Sequence, residues 1–319
     1  RRRRNPARIL LAVVLIAAAA YAGIHCLLFQ KPQQVQAVEQ LNEEEQNAEQ
    51  AQVDEEAEAL RSHQERKADF YTILVSGVDD GNGNSDTNIL VAVDTAGGSI
   101  YGVSIPRDTK AVWNGKSHKI NAAFGSGGIE KLADVIGDQL GIPVDYTVQV
   151  DLKGFVALVD AIGGVDFDVP IDMNYEDPYQ DLYIHIPAGM QHLSGEEALK
   201  VVRFREGYAS QDIARMETQQ AFLKAVAQQT LQISNLTKVD QFVKIFQQYV
   251  ETDLTLGNLA WLGSKAISIG AENVAFSTLP GDWKSPYIYL NKEETLTLVN
   301  EHLNPYVEDR VAEDLNIPD

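Results

Sequence analysis

Two apolar, β-branched runs, NILVAVD (residues 88–94) and SIYGVSI (residues 99–105), are separated only by TAGG. Strand-like sequence on both sides of a glycine-containing turn folds back on itself as a hairpin. A third run, YTILVSGV (residues 71–78), ends on glycine and valine and reads as a buried strand. The hairpin fixes a geometry. The end of its second strand must lie beside the start of its first, and the loop GVDDGNGNSDT leads into that start. Asp79, Asp80 and Asp86 therefore meet Pro106, Arg107 and Asp108 at one edge of a sheet.

The rest of the chain alternates elements. Residues 127–141 carry Ile129, Leu132, Val135, Ile136 and Leu140 at helical spacing, with Gly141 as the stop. DYTVQVD reads as a strand, DLKGFVALVDAIGG as a helix closing on two glycines, and VDFDVP as a strand. SGEEALKVV opens with Ser194 and places Glu197 three residues on, which is a capping box. Helical patterns follow over residues 219–231, 239–249 and 259–269, then VAFSTLP as a last strand. Such alternation predicts an α/β domain around a mixed sheet, with helices on both faces.

Residues 9–29 are almost wholly apolar, enough for a helix of ~20 residues to cross a hydrocarbon core. RRRRNPAR precedes them, so the positive-inside rule puts residues 1–8 in the cytoplasm and everything after Phe29 outside the cell membrane. A cleaved signal peptide is the alternative. Residues 30–67 are rich in Gln, Glu and Ala and read as an acidic stalk; 68–300 hold the folded domain, and 301–319 read as an acidic tail. The single cysteine, Cys26, excludes an internal disulfide. With 46 acidic against 26 basic side chains, the chain carries a net charge of −20. A body so acidic is not held to nucleic acid by phosphate contacts.

Its cations are unevenly placed. Between residues 69 and 300 there are 12 dispersed lysines, but the four arginines fall in two motifs: Arg107, and Arg203, Arg205 and Arg215. Arginine differs from lysine in gripping phosphate or carboxylate with a planar fork. Arg203 and Arg205 point the same way in an extended segment. Arg215 and Gln219 share a helix face, with Ser210 or Asp212 as a possible cap. Carboxylates on the facing loop suit a hard cation such as Mg²⁺. Asp and Asn also form plain turns, and arginines also pair with a protein's own acids, so each group alone is ambiguous. Together they describe a diphosphate site. The six histidines lack metal-ligand spacing, and no Walker loop or G-x-S-x-G is present.

Six stretches occur in order over roughly residues 70–282: SDTNILVAVD, VSIPRDT, HKINAAFGSGG, GIPVDYTVQVDLKGFVALVDAIGGVDFDVP, HLSGEEALKVVRFR and ARMETQQ. With them the chain resembles the LytR-CpsA-Psr family of Gram-positive envelope proteins. That resemblance implies an α/β/α sandwich with an apolar channel for a polyprenyl tail, placed here among Phe155, Val156, Leu158, Val159 and Ile162. It implies transfer of a glycopolymer, of the wall teichoic acid or capsular polysaccharide type, from a polyprenyl diphosphate carrier to peptidoglycan as a phosphodiester. Mg²⁺, or Mn²⁺ in its place, assists. By position, Asp79 and Asp86, with Asp108, resemble the metal-binding carboxylates. Arg107, Arg203, Arg205, Arg215 and Gln219, with Lys119, resemble the pyrophosphate-binding set; Asp79, Asp86 and Arg107 are the catalytic candidates. Two departures stand out: Asn84 and Ser85 precede Asp86 where an arginine is frequent, and Thr218 replaces a second arginine before Gln219. Hydrolysis of the lipid diphosphate, and a non-catalytic binding or regulatory role, are the competing readings.

Overall fold

A computed structural model describes residues 29–35, 65–78, 85–179, 182–204, 213–230 and 239–318, without the side chains of 86, 213–217, 239 and 240. The three strands expected first are present: β1 (Phe70–Val78), β2 (Ser85–Asp94) and β3 (Ser99–Ile105). β2 pairs antiparallel with both neighbours, Leu90 facing Leu74 on one side and Val103 on the other. Next come hairpin β4 (Lys110–Trp113) and β5 (Lys116–Lys119), helix α1 (Ala122–Leu140) and β6 (Tyr146–Asp151). α1 begins before the expected start and kinks at Gly127 and Gly128, whose left-handed φ of 72° explains the two-glycine interruption. It ends where expected, on Gly141 at φ 67°.

β6 leads into an insertion: α2 (Leu152–Ile162), β7 (Val165–Val169), β8 (Met173–Asp177), β9 (Leu182–Ile186), β10 (Gly189–Leu193), α3 (Gly195–Arg203), α4 (Ile213–Thr230) and α5 (Val239–Tyr249). The chain rejoins the sheet with β11 (Val250–Thr252), then runs through α6 (Leu256–Ile269), β12 (Val274–Thr278), β13 (Gly281–Lys284), β14 (Tyr287–Leu290) and α7 (Lys292–Leu298).

The central sheet has the order β11-β6-β1-β2-β3-β12. β6 is parallel to β1 and β12 to β3, so β1, β3, β6 and β12 run the same way. Side chains alternate between faces as a pleat requires. Leu74, Leu90 and Val103 join Leu132, Ile136 and Leu140 of α1 in one core. Tyr71, Ile73 and Val93 meet Trp261 and Leu262 of α6 on the other face. Helices on both faces make the expected α/β sandwich around a mixed sheet. A second core lies within the insertion, where Phe222 packs edge-on to Phe167 with ring centroids 5.3 Å apart. Val159 and Ile162 are buried in it; Phe155, Val156 and Leu158 are half-buried.

The domain reaches past both boundaries read from composition. Leu303, Tyr306 and Leu315, beyond residue 300, are buried. Residues 30–35 lie along the sheet as a strap. Gln30 N–H donates to Gly257 O, Gln33 N–H to the Tyr146 hydroxyl, and Val35 N–H to Asp145 Oδ1, at 3.1, 2.8 and 2.9 Å. Gln34 Nε2 donates to the carbonyls of Lys67 and Phe70. These bonds are main-chain and amide contacts, for which a Gln-rich composition gives no signal. Residues 9–28 lie outside the described residues, among which no helix is long and apolar enough to cross a membrane.

Candidate functional site

Because four strands share a direction, their carboxyl ends share an edge, the usual place for a ligand in an open α/β sheet. Val78, Ile105, Asp151 and Thr278 end there. Val78 pairs with Ser85 across a register shift after Gly77; residues 79–84, which join β1 to β2, lie outside the described residues. Asp79 lies outside the described residues. Asp86 is the second residue of β2, and its side chain is likewise outside them. Two strand partners away, Ile105 sits opposite Asn88 and the chain turns through Pro106, Arg107 and Asp108. The hairpin argument therefore holds at backbone level: the Asp86 and Arg107 positions are brought to one edge.

Thr109 N–H donates to Pro106 O at 3.0 Å, and Asn121 N–H to Arg107 O at 3.3 Å, which fixes the turn that presents Arg107. Asp108 Oδ1 lies 2.7 Å from Lys119 Nζ, and its Oδ2 lies 4.0 Å from Arg107 Nε. One carboxylate thus holds two cations beside the edge while Arg107 stays 39% and Lys119 41% exposed. At this depth the pairs contribute little stability; their effect is to position charge. Asp108, grouped by resemblance with the metal ligands, is engaged by Lys119.

The insertion supplies the other side. Ser194 caps α3 with the expected box: Ser194 N–H donates to Glu197 Oε2 at 2.9 Å, and Glu197 N–H to Ser194 Oγ at 3.4 Å. The Ser194 N–H bond first, and then the Ser194 hydroxyl, which donates to the same Oε2 at 2.7 Å, hold the Glu197 carboxyl below the usual range. α3 ends on Arg203. The next residue, Phe204, is buried in the same core as Phe222 of α4. Gln220, also on α4, donates Nε2 to Thr278 Oγ1 at 3.2 Å. Thr278 pairs with Ser104 of β3, three residues before Arg107. This chain of contacts docks the helix carrying Arg215 and Gln219 onto the edge that carries Arg107. Gln219 is half-buried, and the Arg215 side chain, Arg205, Ser210 and Asp212 lie outside the described residues. Thr218, one of the two departures read in the sequence, is 7% exposed, so this position faces packing here.

Sequence reading missed Asp151. It ends β6 beside Val78 and accepts Gly154 N–H at 2.5 Å as the cap of α2. It also missed a buried polar pair, Ser76 Oγ donating to Asn88 Oδ1 at 2.8 Å. Among the described residues, Ser85 Oγ, Asn88 Nδ2 and Thr109 Oγ1 are buried without a hydrogen-bond partner, all at this edge. Among the described residues, no three His, Cys, Asp or Glu side chains gather as a metal group.

The described edge thus joins Arg107, Asp108 and Lys119 at the strand ends of an α/β sandwich, with the insertion bonded beside them through Gln220 and Thr278. The LytR_cpsA_psr family model matches residues 31–305, and the chain belongs to the LytR-CpsA-Psr family. It is similar to the polyisoprenyl-teichoic acid–peptidoglycan teichoic acid transferase TagU of Bacillus cereus, 35% identical over 221 residues, 68% of this chain and 70% of that protein. TagV of Bacillus subtilis, of the same transferase name, is 33% identical over 196 residues, 58% of this chain and half (50%) of that protein's length. The crystal structure of B. subtilis TagV matches with a TM-score of 0.63 at 28% identity, over 76% of this chain and 100% of that one.

Proposed function

We propose that this protein transfers an anionic glycopolymer of the teichoic acid type from a polyprenyl diphosphate carrier to peptidoglycan, forming a phosphodiester. Residues 9–29 anchor it in the cell membrane with the domain outside. The observation that supports this reading is the hydrogen bond from Gln220 of α4 to Thr278, whose strand partner Ser104 lies three residues before Arg107. Membership of the family and the names of the relatives supply the substrate class.

In this mechanism Arg107, Arg203, Arg205 and Arg215, with Gln219, grip the diphosphate, and Lys119 adds charge beside them. Phosphoryl transfer is mostly positioning and charge stabilisation, which such donors supply. An acceptor sugar hydroxyl attacks the phosphorus that bears the glycopolymer. The new P–O bond forms as the bond to the bridging oxygen breaks, and polyprenyl phosphate leaves. The hydroxyl proton passes to Asp79 or Asp86. The donor types suit Mg²⁺: Asp79 and Asp86 are close in sequence, and the buried Ser85 Oγ next to Asp86 in the chain has no hydrogen-bond partner among the described residues. Asp79 and Asp86 would hold the ion. Bound there, it supplies neutralisation of the diphosphate charge. Half-buried Phe155, Val156 and Leu158 of α2 line the path of the tail.

The test uses the full chain, a polyprenyl diphosphate-linked teichoic acid and peptidoglycan, with the acceptor omitted in a parallel reaction. Arg107→Ala and Arg203→Ala should each lower transfer on the order of 100-fold, as loss of one charge-stabilising donor does. Unchanged transfer in both variants refutes the site. Release of polyprenyl phosphate at the same rate without acceptor identifies a hydrolase instead.

A further inference from the structure

Beside the arginine edge lies a surface that, Lys119 apart, the reaction above does not use. β4 and β14 meet where Ile288 N–H donates to Asp108 O at 2.9 Å, joining the hairpins β4–β5 and β13–β14. In an antiparallel ladder, directly opposed residues share a face. Lys110 is opposed to Lys119, and Lys284 to Tyr287. Lys110 Nζ stands 4.7 Å from the centre of the Tyr289 ring, and Lys284 Nζ 5.6 Å from that same centre. Tyr287 packs edge-on to Tyr289 at 6.3 Å. The cations thus follow one another: Arg107 and Lys119 on Asp108, then Lys110, then Lys284 across Tyr289.

This arrangement is poor for stability. Like charges directly opposed on a ladder repel; of the acids here, Asp108 pairs with Lys119 and Asp282 is opposed to Tyr289, so the cations still outnumber them along the band. Cations spaced along a tyrosine-lined surface suit a ligand that alternates charge with sugar faces. Phosphates meet the ammonium groups, and sugar rings pack on the tyrosine surface between them.

We propose that the band Lys110–Tyr289–Lys284, which continues outward from Lys119, is the docking track for the polymer on the donor, beyond its diphosphate. It selects chains bearing a phosphate in each repeat over neutral glycans. The identity of that polymer as donor rests on the proposed transferase; the polyanion track itself does not.

The experiment therefore has two arms, with the double variant Lys110→Gln/Lys284→Gln and the full chain in nanodiscs of zwitterionic lipid. In the first, binding of poly(glycerol phosphate) is measured across a salt series, with dextran as the neutral control and micellar phosphatidylglycerol as a competitor. The variant should bind about fivefold more weakly, and its slope of log affinity against log salt should fall by roughly 0.7 per lysine, as for single-stranded polyanions. Dextran should not bind either protein. Unchanged polyanion binding at an unchanged unfolding midpoint overturns the track, as does phosphatidylglycerol binding that matches poly(glycerol phosphate) per phosphate and falls equally in the variant. In the second arm, transfer is compared between a polyprenyl diphosphate bearing a short neutral saccharide and one bearing the phosphate polymer. The variant should raise KM for the polymer donor alone. An equal loss with both donors assigns the lysines to the diphosphate or the fold and overturns the proposal. If the wild-type protein transfers neither donor, the transferase reading fails and the first arm still decides the track.

Discussion

Asp145 is the most informative single position outside the site. Its side chain is fully buried, and Arg66, its ion partner, is 10% exposed. Arg66 Nη2 donates to both carboxylate oxygens, at 3.1 and 2.8 Å. Oδ1 also accepts Val35 N–H, while Oδ2 accepts Thr72 N–H at 2.9 Å and the Thr72 hydroxyl at 3.0 Å. Arg66 in turn stacks 5.9 Å from the Tyr306 ring, whose other neighbour is Arg310 at 4.1 Å. Asp145→Asn keeps the shape and removes the charge. The new amide must displace one acceptor; besides the Arg66 bond, placing it at Oδ1 sacrifices one donor, Val35 N–H, where Oδ2 would sacrifice two, Thr72 N–H and the Thr72 hydroxyl. The strap bond from Val35 is therefore the one lost. Breaking a buried ion pair by removing one partner costs about 3–5 kcal/mol. The retained Oδ2 puts this case at the low end, about 3 kcal/mol, or roughly 6–12 °C in Tm for a domain this size. Thermal unfolding followed by circular dichroism measures the shift, and amide hydrogen exchange at Val35 and Gln33 reports the strap. Asp145→Asn combined with Arg66→Met should cost less than the sum of the two, because they share one interaction. A Tm shift below about 2 °C with Val35 still protected would refute the reasoning.

Ser76→Ala strips the Asn88 amide of its described partner and should cost about 1–3 kcal/mol, whereas Ser76→Ala with Asn88→Leu replaces both groups by apolar ones and should recover most of that loss in urea unfolding. Glu197 titrates below its unfolded value, so its contribution is complete above the unfolded carboxylate range and disappears as pH falls through the lowered folded-state value. Glu197→Gln should accordingly flatten that part of the acid limb in midpoints recorded from about pH 6 downwards, while a limb identical to wild type would exclude the box as its source.

The sheet was legible because its strands carry the signal that burial imposes. Leu74, Leu90 and Val103 point one way and Tyr71, Ile73 and Val93 the other, and the run lengths leave little choice of element. Helix ends were legible where backbone geometry demands a residue type, as at Gly141, Gly163 and Ser194. The short hairpins were not. KAVW, KSHK and GDWK bury little, so no apolar period marks them as strands. The strap was hidden for a different reason: QKPQQV reads as solvated linker, and only the partners contributed by Asp145, Tyr146 and Gly257 order it. At the site, hairpin topology alone placed Asp86 and Arg107 together. The approach of α4 depends on Gln220 meeting Thr278, 58 residues away in sequence, which no local pattern encodes.

The strap and the candidate site occupy opposite ends of one strand, and under the proposed anchoring of residues 9–29 this sets how far the candidate site stands from the membrane. Gln34 bonds to the Phe70 carbonyl at the start of β1, while Val78 at its end adjoins the acidic loop. Eight residue steps at ~3.3 Å separate them by roughly 26 Å. Phe29 immediately precedes the strapped residues, so no free linker lies between it and the domain. With residues 9–29 in the membrane as proposed, the height of the arginine edge is fixed by a rigid strand rather than averaged over a tether. Inserting about ten Gly and Ser residues between Phe29 and Gln30 leaves every strap bond intact but frees the domain, since a flexible linker of n residues spans about 5–6 Å × √n. Transfer from a membrane-embedded, full-length polyprenyl donor should fall in this variant, while transfer from a short-chain donor in detergent stays at the wild-type rate. Equal rates with both donors would mean that the strap serves stability alone and that the site tolerates any height above the membrane.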